Sequence, residues 1–262
     1  MDTIHIESWN DFVNLTSECD GWAFRGLPYA NWQLISSLSR YLQSYVPEMA
    51  SWREREERAL RIFRRKAHNY LADASFLADD LRCLALMQHH GAPTRLLDFT
   101  KSPYVAAFFA LYKSTRDAAV FALDTPTLWR LAPNGDRSLR REAVDPRVKG
   151  NFERYFASNT KKILWVGEPE EMDQRLVAQS GTFVVPGVLD QTLEEIIREY
   201  PSERPLLRKF VLPASIRKEA MLALYRMNIT HATLFPDLDG LSRSIAYELE
   251  TSWPGHHAPP SE

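Results

Sequence analysis

The chain has 262 residues, of which 45% are apolar and 25% charged, with 32 Lys and Arg against 34 Asp and Glu. This balance excludes an intrinsically disordered chain and a fibrous repeat, and its length allows a sizeable core. The net charge of −2 gives no global basic excess for nucleic acid, and the two cysteines, Cys19 and Cys83, form neither a C-x-x-C pair nor a disulfide framework.

In chain order, residues 4–7 read as a short strand, and a helix starts near Ser8. Trp22-Ala23-Phe24-Arg25-Gly26 reads as a strand running into a loop, and residues 34–38 as a short stretch without periodicity. Residues 52–71 are the clearest helix, with Leu60, Phe63, Ala67 and Tyr70 at spacings of three and four. Glu54–Arg58 and Glu57–Arg61 stand there as i,i+4 pairs. Seven Lys and Arg face three Glu in the same stretch, which suits a solvated face or a surface that meets phosphate. A second helix is expected over 73–90, ended by Gly91 and Pro93.

Residues 95–100 read as a strand. Ser102 and Pro103 then open a helix over 104–112 that is apolar nearly all round and therefore buried. Residues 118–123 read as a strand, and the polar stretch 134–150 as a surface excursion. Further strands are expected at 162–166, 179–185, 210–213 and 232–235, with helices at 216–227 and 241–249. Asp237 and Asp239 suit a turn and a helix cap better than a metal site. The expected organisation is one α+β domain of short strands packed with helices over residues 1–250, then a disordered tail over 251–262 that holds three Pro and one Gly. The N-terminus lacks the pattern of a signal peptide, and no apolar run approaches the roughly 20 residues of a membrane span, so the expectation is a cytoplasmic protein with no membrane partner. No Walker loop, G-x-S-x-G elbow or H-E-x-x-H motif occurs.

Phe24-Arg25-Gly26, the block from His89 to Thr100 (HHGAPTRLLDFT), Ala106-Ala107-Phe108-Phe109-Ala110 and the segment from Leu234 to Gly240 together resemble the FRG domain. That resemblance implies association with anti-phage and toxin-like loci. A weaker resemblance is to the mono-ADP-ribosyltransferases. There, an aromatic-Arg-Gly ends an early strand, and a second strand bearing Ser or Thr leads into a buried helix, as Asp98-Phe99-Thr100 leads into residues 105–110 here. In that superfamily a third strand carries a catalytic Glu, and the comparable place here holds Gln179.

The second resemblance implies NAD as substrate, an ADP-ribosyltransferase-like fold, and a nucleic acid or protein as acceptor, with an antitoxin or regulatory partner. Arg25 suits phosphate, since a guanidinium offers a rigid charged fork, and Gly26 lets a ligand approach the backbone; the alternative is a structural pair between Arg25 and Asp98. His89 or His90 would bond a ribose hydroxyl or move a proton, or be structural. Thr94, Arg95 and Thr100 would hold ligand, or Arg95 would pair with Asp98, and Tyr104 would stack on a ring or belong to the core. Gln179 positions a nucleophile or binds an amide but cannot act as a base. A catalytic carboxylate would come from Asp98 or from Glu168, Glu170, Glu171 and Asp173. The competing reading is a non-catalytic module for a nucleotide, nucleic acid or protein, and a third is a nuclease acting through His89 or His90.

Overall fold

Strand β1 (Asp2–His5) leads into helix α1 (Trp9–Ser17) through a reciprocal cap. Ser8 Oγ accepts from the Asp11 N–H at 3.2 Å, and the Asp11 carboxylate accepts from the Ser8 N–H at 3.1 Å. The computed structural model describes residues 1–250, so the tail expected over 251–262 lies outside the described residues. Strand β2 (Ala23–Leu27) is followed by helix α2 (Ser37–Tyr45) and helix α3 (Trp52–Ala67). Helix α4 (Asp80–His89) leads into strand β3 (Leu97–Thr100), and helix α5 (Pro103–Leu111) into strand β4 (Ala118–Leu123).

The second half of the chain has more short elements. The one-turn helix α6 (Thr125–Leu128) follows β4, and the excursion over 134–150 is a run of tight turns. Strand β5 (Leu164–Gly167), helix α7 (Gln174–Ala178) and strand β6 (Gly181–Pro186) come next. Helix α8 (Leu193–Ile196) and strand β7 (Leu207–Leu212) precede helices α9 (Arg217–Arg226), α10 (His231–Leu234) and α11 (Leu238–Glu250).

Among the described residues, seven strands form one mixed sheet in the order β1-β7-β4-β2-β3-β6-β5. Only the β1–β7 pair is parallel. The strands alternate sides with the two-residue period of the pleat. Ala23, Leu27, Leu97, Phe99, Phe121, Leu164, Val184 and Leu207 build a core on one face that runs from β7 to β5. The opposite face has two separate cores. Phe24, Val120, Ala122 and Phe210 pack under α1, α5 and α9. Trp165, Phe183 and Val185 pack under α3, α4 and residues 152–157. Strand β3 lies between these two cores and turns Asp98 toward the gap. It meets β2 at one residue pair, Phe24 with Thr100, whereas β2 and β4 share five.

Several expectations change. Residues 232–235 are not a strand: Thr230 and Thr233 cap one another and start the single turn of α10. Such a short apolar run carries no period that separates helix from strand. Helix α2 was not expected, since residues 34–38 show no period, yet Ser36 caps it through the Ser39 N–H at 3.0 Å. The helix expected over 73–90 starts only at Asp80, because the Asp79 side chain accepts from the Arg82 N–H and sets the boundary there. Helix α3 ends at Ala67, so Tyr70 is 87% exposed instead of extending the apolar face. Glu57 pairs with Arg53 at 2.9 Å, not with Arg61.

Candidate functional site

A cleft of about 370 Å³ opens over β3, against the α3–α4 core. The end of α4 supplies Gln88 and His89, β3 supplies Asp98, and β6 supplies Phe183. The segment entering β6 adds Glu171, Asp173, Arg175 and Gln179. Ser180, at a φ of +47°, turns the chain sharply from α7 into β6 and leaves Gln179 at the helix end. Gln179 was expected on the strand itself; it lies two residues before it.

Each polar group on the cleft floor is oriented by another. His89 Nδ1 lies 2.9 Å from Asp173 Oδ2, and an Nδ1–H donated to that carboxylate leaves Nε2 as an acceptor. Gln88 Nε2 donates to Asp98 Oδ1 at 2.6 Å, while its own Oε1 accepts from the buried Thr94 hydroxyl. Gln179 Nε2 donates to the Leu234 carbonyl at 3.0 Å, which fixes its amide and turns Oε1 to the acceptor role. Arg82 donates to Glu171 at 2.7 Å at the rim. Apolar walls come from Phe76, Leu86, Met172 and Leu176. Sequence reasoning left the acid open among five carboxylates; the fold brings Asp98, Glu171 and Asp173 to the cleft. Gln88 was missed. Its only sequence signal was its place next to the His pair on a helix end.

The other sequence candidates lie elsewhere. Thr94 is buried, and its carbonyl accepts the Leu38 N–H at 3.0 Å, tying it to α2. Arg95 is 0% exposed and forms a two-pronged ion pair with Glu56 of α3, with Nε to Oε1 at 2.7 Å and Nη1 donating to the Pro186 carbonyl at 2.8 Å. Thr100 donates to the Gln179 carbonyl at 2.7 Å and so anchors the turn beside the cleft. Tyr104 packs against Trp9 with ring centres 6.1 Å apart. His90 is exposed at the end of α4, with its ring against His89. The close approach at Gly26 is made by α5: a Cβ there would lie 1.9 Å from the Ala106 carbonyl oxygen. Asp237 accepts from the Gly240 N–H at 2.7 Å as a cap, and no His, Cys, Asp and Glu cluster of metal-binding form occurs among the described residues.

Arg25 faces away from the cleft, since it pairs in register with Phe121 of the opposite core. Its Nη1 donates at 2.5 Å to the Asp98 carbonyl, which β2 leaves unpaired after the single Phe24–Thr100 step. The expected pairing partner was the Asp98 carboxylate; the bond goes to the backbone instead. Its Nε is sealed from solvent and has no hydrogen-bond partner among the described residues. Burial pushes the Arg25 guanidinium down from its usual range; the Asp98 charge opposes the shift and the Arg40 charge adds to it.

No helix among the described residues is long and apolar enough to cross a membrane. Comparison with curated proteins gives no match, and comparison with solved structures gives none. Strand β2 with Phe24-Arg25-Gly26, the α4–β3 passage with His89 and Asp98, and α5 all fall within residues 20–119, and that segment matches the FRG domain family.

Proposed function

We propose that the cleft binds the nicotinamide riboside half of NAD and cleaves its N-glycosidic bond, passing ADP-ribose to water or to a nucleic acid or protein, in the service of a toxin-like or antiviral effector. The observation that carries this reading is the meeting of the His89–Asp173 pair with the Asp98 carboxylate in one apolar-walled cleft. Breaking the bond between ribose and nicotinamide releases neutral nicotinamide and leaves a cation-like sugar. An anion at Asp98 stabilises that charge as it develops. The nucleophile, water or an acceptor hydroxyl, forms the new bond at the same carbon and gives its proton to His89 Nε2, and Asp173 stabilises the resulting imidazolium. Gln179 Oε1 accepts from the nicotinamide amide. An acceptor nucleic acid would lie along α3, where Arg55, Arg58, Arg61, Arg65 and Lys66 are exposed.

The test is incubation with NAD, with and without RNA, DNA or lysate, following nicotinamide release by chromatography. Asp98→Asn is expected to slow release about a hundredfold, and His89→Gln by a similar factor. Labelled NAD then identifies the acceptor. A non-catalytic nucleotide-binding module is favoured by one feature: the site holds Gln179 where a transferase would place an acid. That reading gives saturable NAD binding with no nicotinamide released, and this outcome displaces the catalytic one.

A further inference from the structure

A second cavity, of about 620 Å³, lies among α5, α9, α10 and α11, away from the cleft. Its inner wall is aromatic. The His231 ring stands edge-on to Phe108 and Tyr112, at 4.9 and 4.6 Å between ring centres. His231 is only 8% exposed and lines the cavity, yet neither ring nitrogen has a hydrogen-bond partner among the described residues. A ring nitrogen without a partner is free to bond a ligand in the cavity. Burial, then the charges of Arg243 and Lys113, push His231 below the usual histidine range, so its ring is neutral and offers one donor and one acceptor.

The charges of the cavity are unequally used. The acids at its edge are engaged: Glu250 pairs with Arg217 at 2.9 Å, and Glu248 accepts from the Tyr225 hydroxyl at 3.2 Å. Lys113 and Arg243 line the same cavity, and neither has a carboxylate partner among the described residues. Two cations near a neutral histidine against an aromatic wall suit a flat ring that carries an anionic group. We infer that this cavity is a second ligand site, for a small aromatic anion of the nucleoside monophosphate kind: the ring packs against Tyr112, a ring nitrogen or exocyclic group bonds His231, and the phosphate meets Arg243 and Lys113. Helix α10 also accepts the Gln179 amide at the Leu234 carbonyl, so it touches a residue of the cleft.

Calorimetric titration of the full chain with AMP, and with adenosine as the uncharged counterpart, tests the site. AMP is expected to bind at one site, and adenosine about tenfold more weakly or worse. The double variant Arg243→Gln/Lys113→Gln is expected to weaken AMP about tenfold and to bring it close to adenosine. Both residues are exposed, so the fold is retained, and circular dichroism checks it. Asp98→Asn, in the cleft, is expected to leave AMP binding unchanged, which separates this site from the NAD reading. The inference is overturned if AMP does not bind, if the double variant binds AMP as tightly as the parent, or if AMP binding is lost in Asp98→Asn and kept in the double variant.

Discussion

Replacing Arg95 with Ala is expected to cost about 3–5 kcal/mol of stability, the range for breaking a buried ion pair from one side. Arg95 is fully buried and Glu56 nearly so, and three donors of the one guanidinium are satisfied, two by the carboxylate and one by the Pro186 carbonyl. The pair ties α3 to the run-in of β3 and to the end of β6, so it joins three segments far apart in sequence. Removing Arg95 leaves the Glu56 carboxylate buried without a counter-charge, and that uncompensated charge is the larger part of the cost. Urea denaturation followed by circular dichroism reads the loss as a lower midpoint at unchanged slope. The double variant Arg95→Met/Glu56→Leu is expected to regain most of it, since an apolar pair of similar volume leaves no buried charge. A loss below about 1 kcal/mol in Arg95→Ala would mean that the pair does not hold these segments together.

Gly26→Val is expected to prevent α5 from seating on β2. A Cβ at this position would come within 1.9 Å of the Ala106 carbonyl oxygen and 2.7 Å of the Ala110 nitrogen. Both are backbone atoms of a helix with six of its nine residues buried, so neither can swing aside as a side chain would. Ordinary overpacking costs roughly 1–3 kcal/mol, and a clash with helix backbone exceeds that range. The expected result is insoluble protein on expression, or a soluble form more than about 3 kcal/mol less stable than the parent. Arg25→Ala, which removes one bond to the Asp98 carbonyl, is expected to stay soluble and folded. The contrast assigns the two neighbours of the Phe-Arg-Gly tripeptide different duties: the glycine admits a helix, and the arginine completes a strand edge. A Gly26 variant that folds as stably as the parent would refute the packing account.

The elements legible in the sequence were those that carry their own signals. Ser8, Ser102 and Asp237 announce caps, and the apolar run over 118–123 is strand β4, buried on both faces. Residues 232–235 were read as a strand because four residues show no period, and only the mutual capping of Thr230 and Thr233 decides for helix. The site was legible in part: the block around His89 and Asp98 drew attention by its density of polar groups, and Gln179 by the resemblance to a transferase strand that carries a catalytic Glu. What the sequence does not contain is sidedness. Arg25 and Asp98 sit near one another in the sheet, but the pleat turns their side chains to opposite faces, and nothing in the local pattern of a four-residue strand tells which face will be open. Arg95 looks like a ligand-binding residue until the fold brings Glu56, 39 positions earlier, against it.

The one-pair contact between β2 and β3 divides the hydrogen-bonded ladder of the sheet into two blocks. On one side, β1, β7, β4 and β2 are joined by continuous ladders; on the other, β3, β6 and β5 are. Every residue lining the cleft belongs to the second block or to the segments packed on it. A ligand held there bears directly on the second block and reaches the first through the shared core and the Gln179–Leu234 bond. In deuterium exchange, the amides of β3, β5 and β6 are expected to slow more on ligand addition than those of β4 and β7, so the protein would register an occupied cleft as a difference in opening between its own two halves.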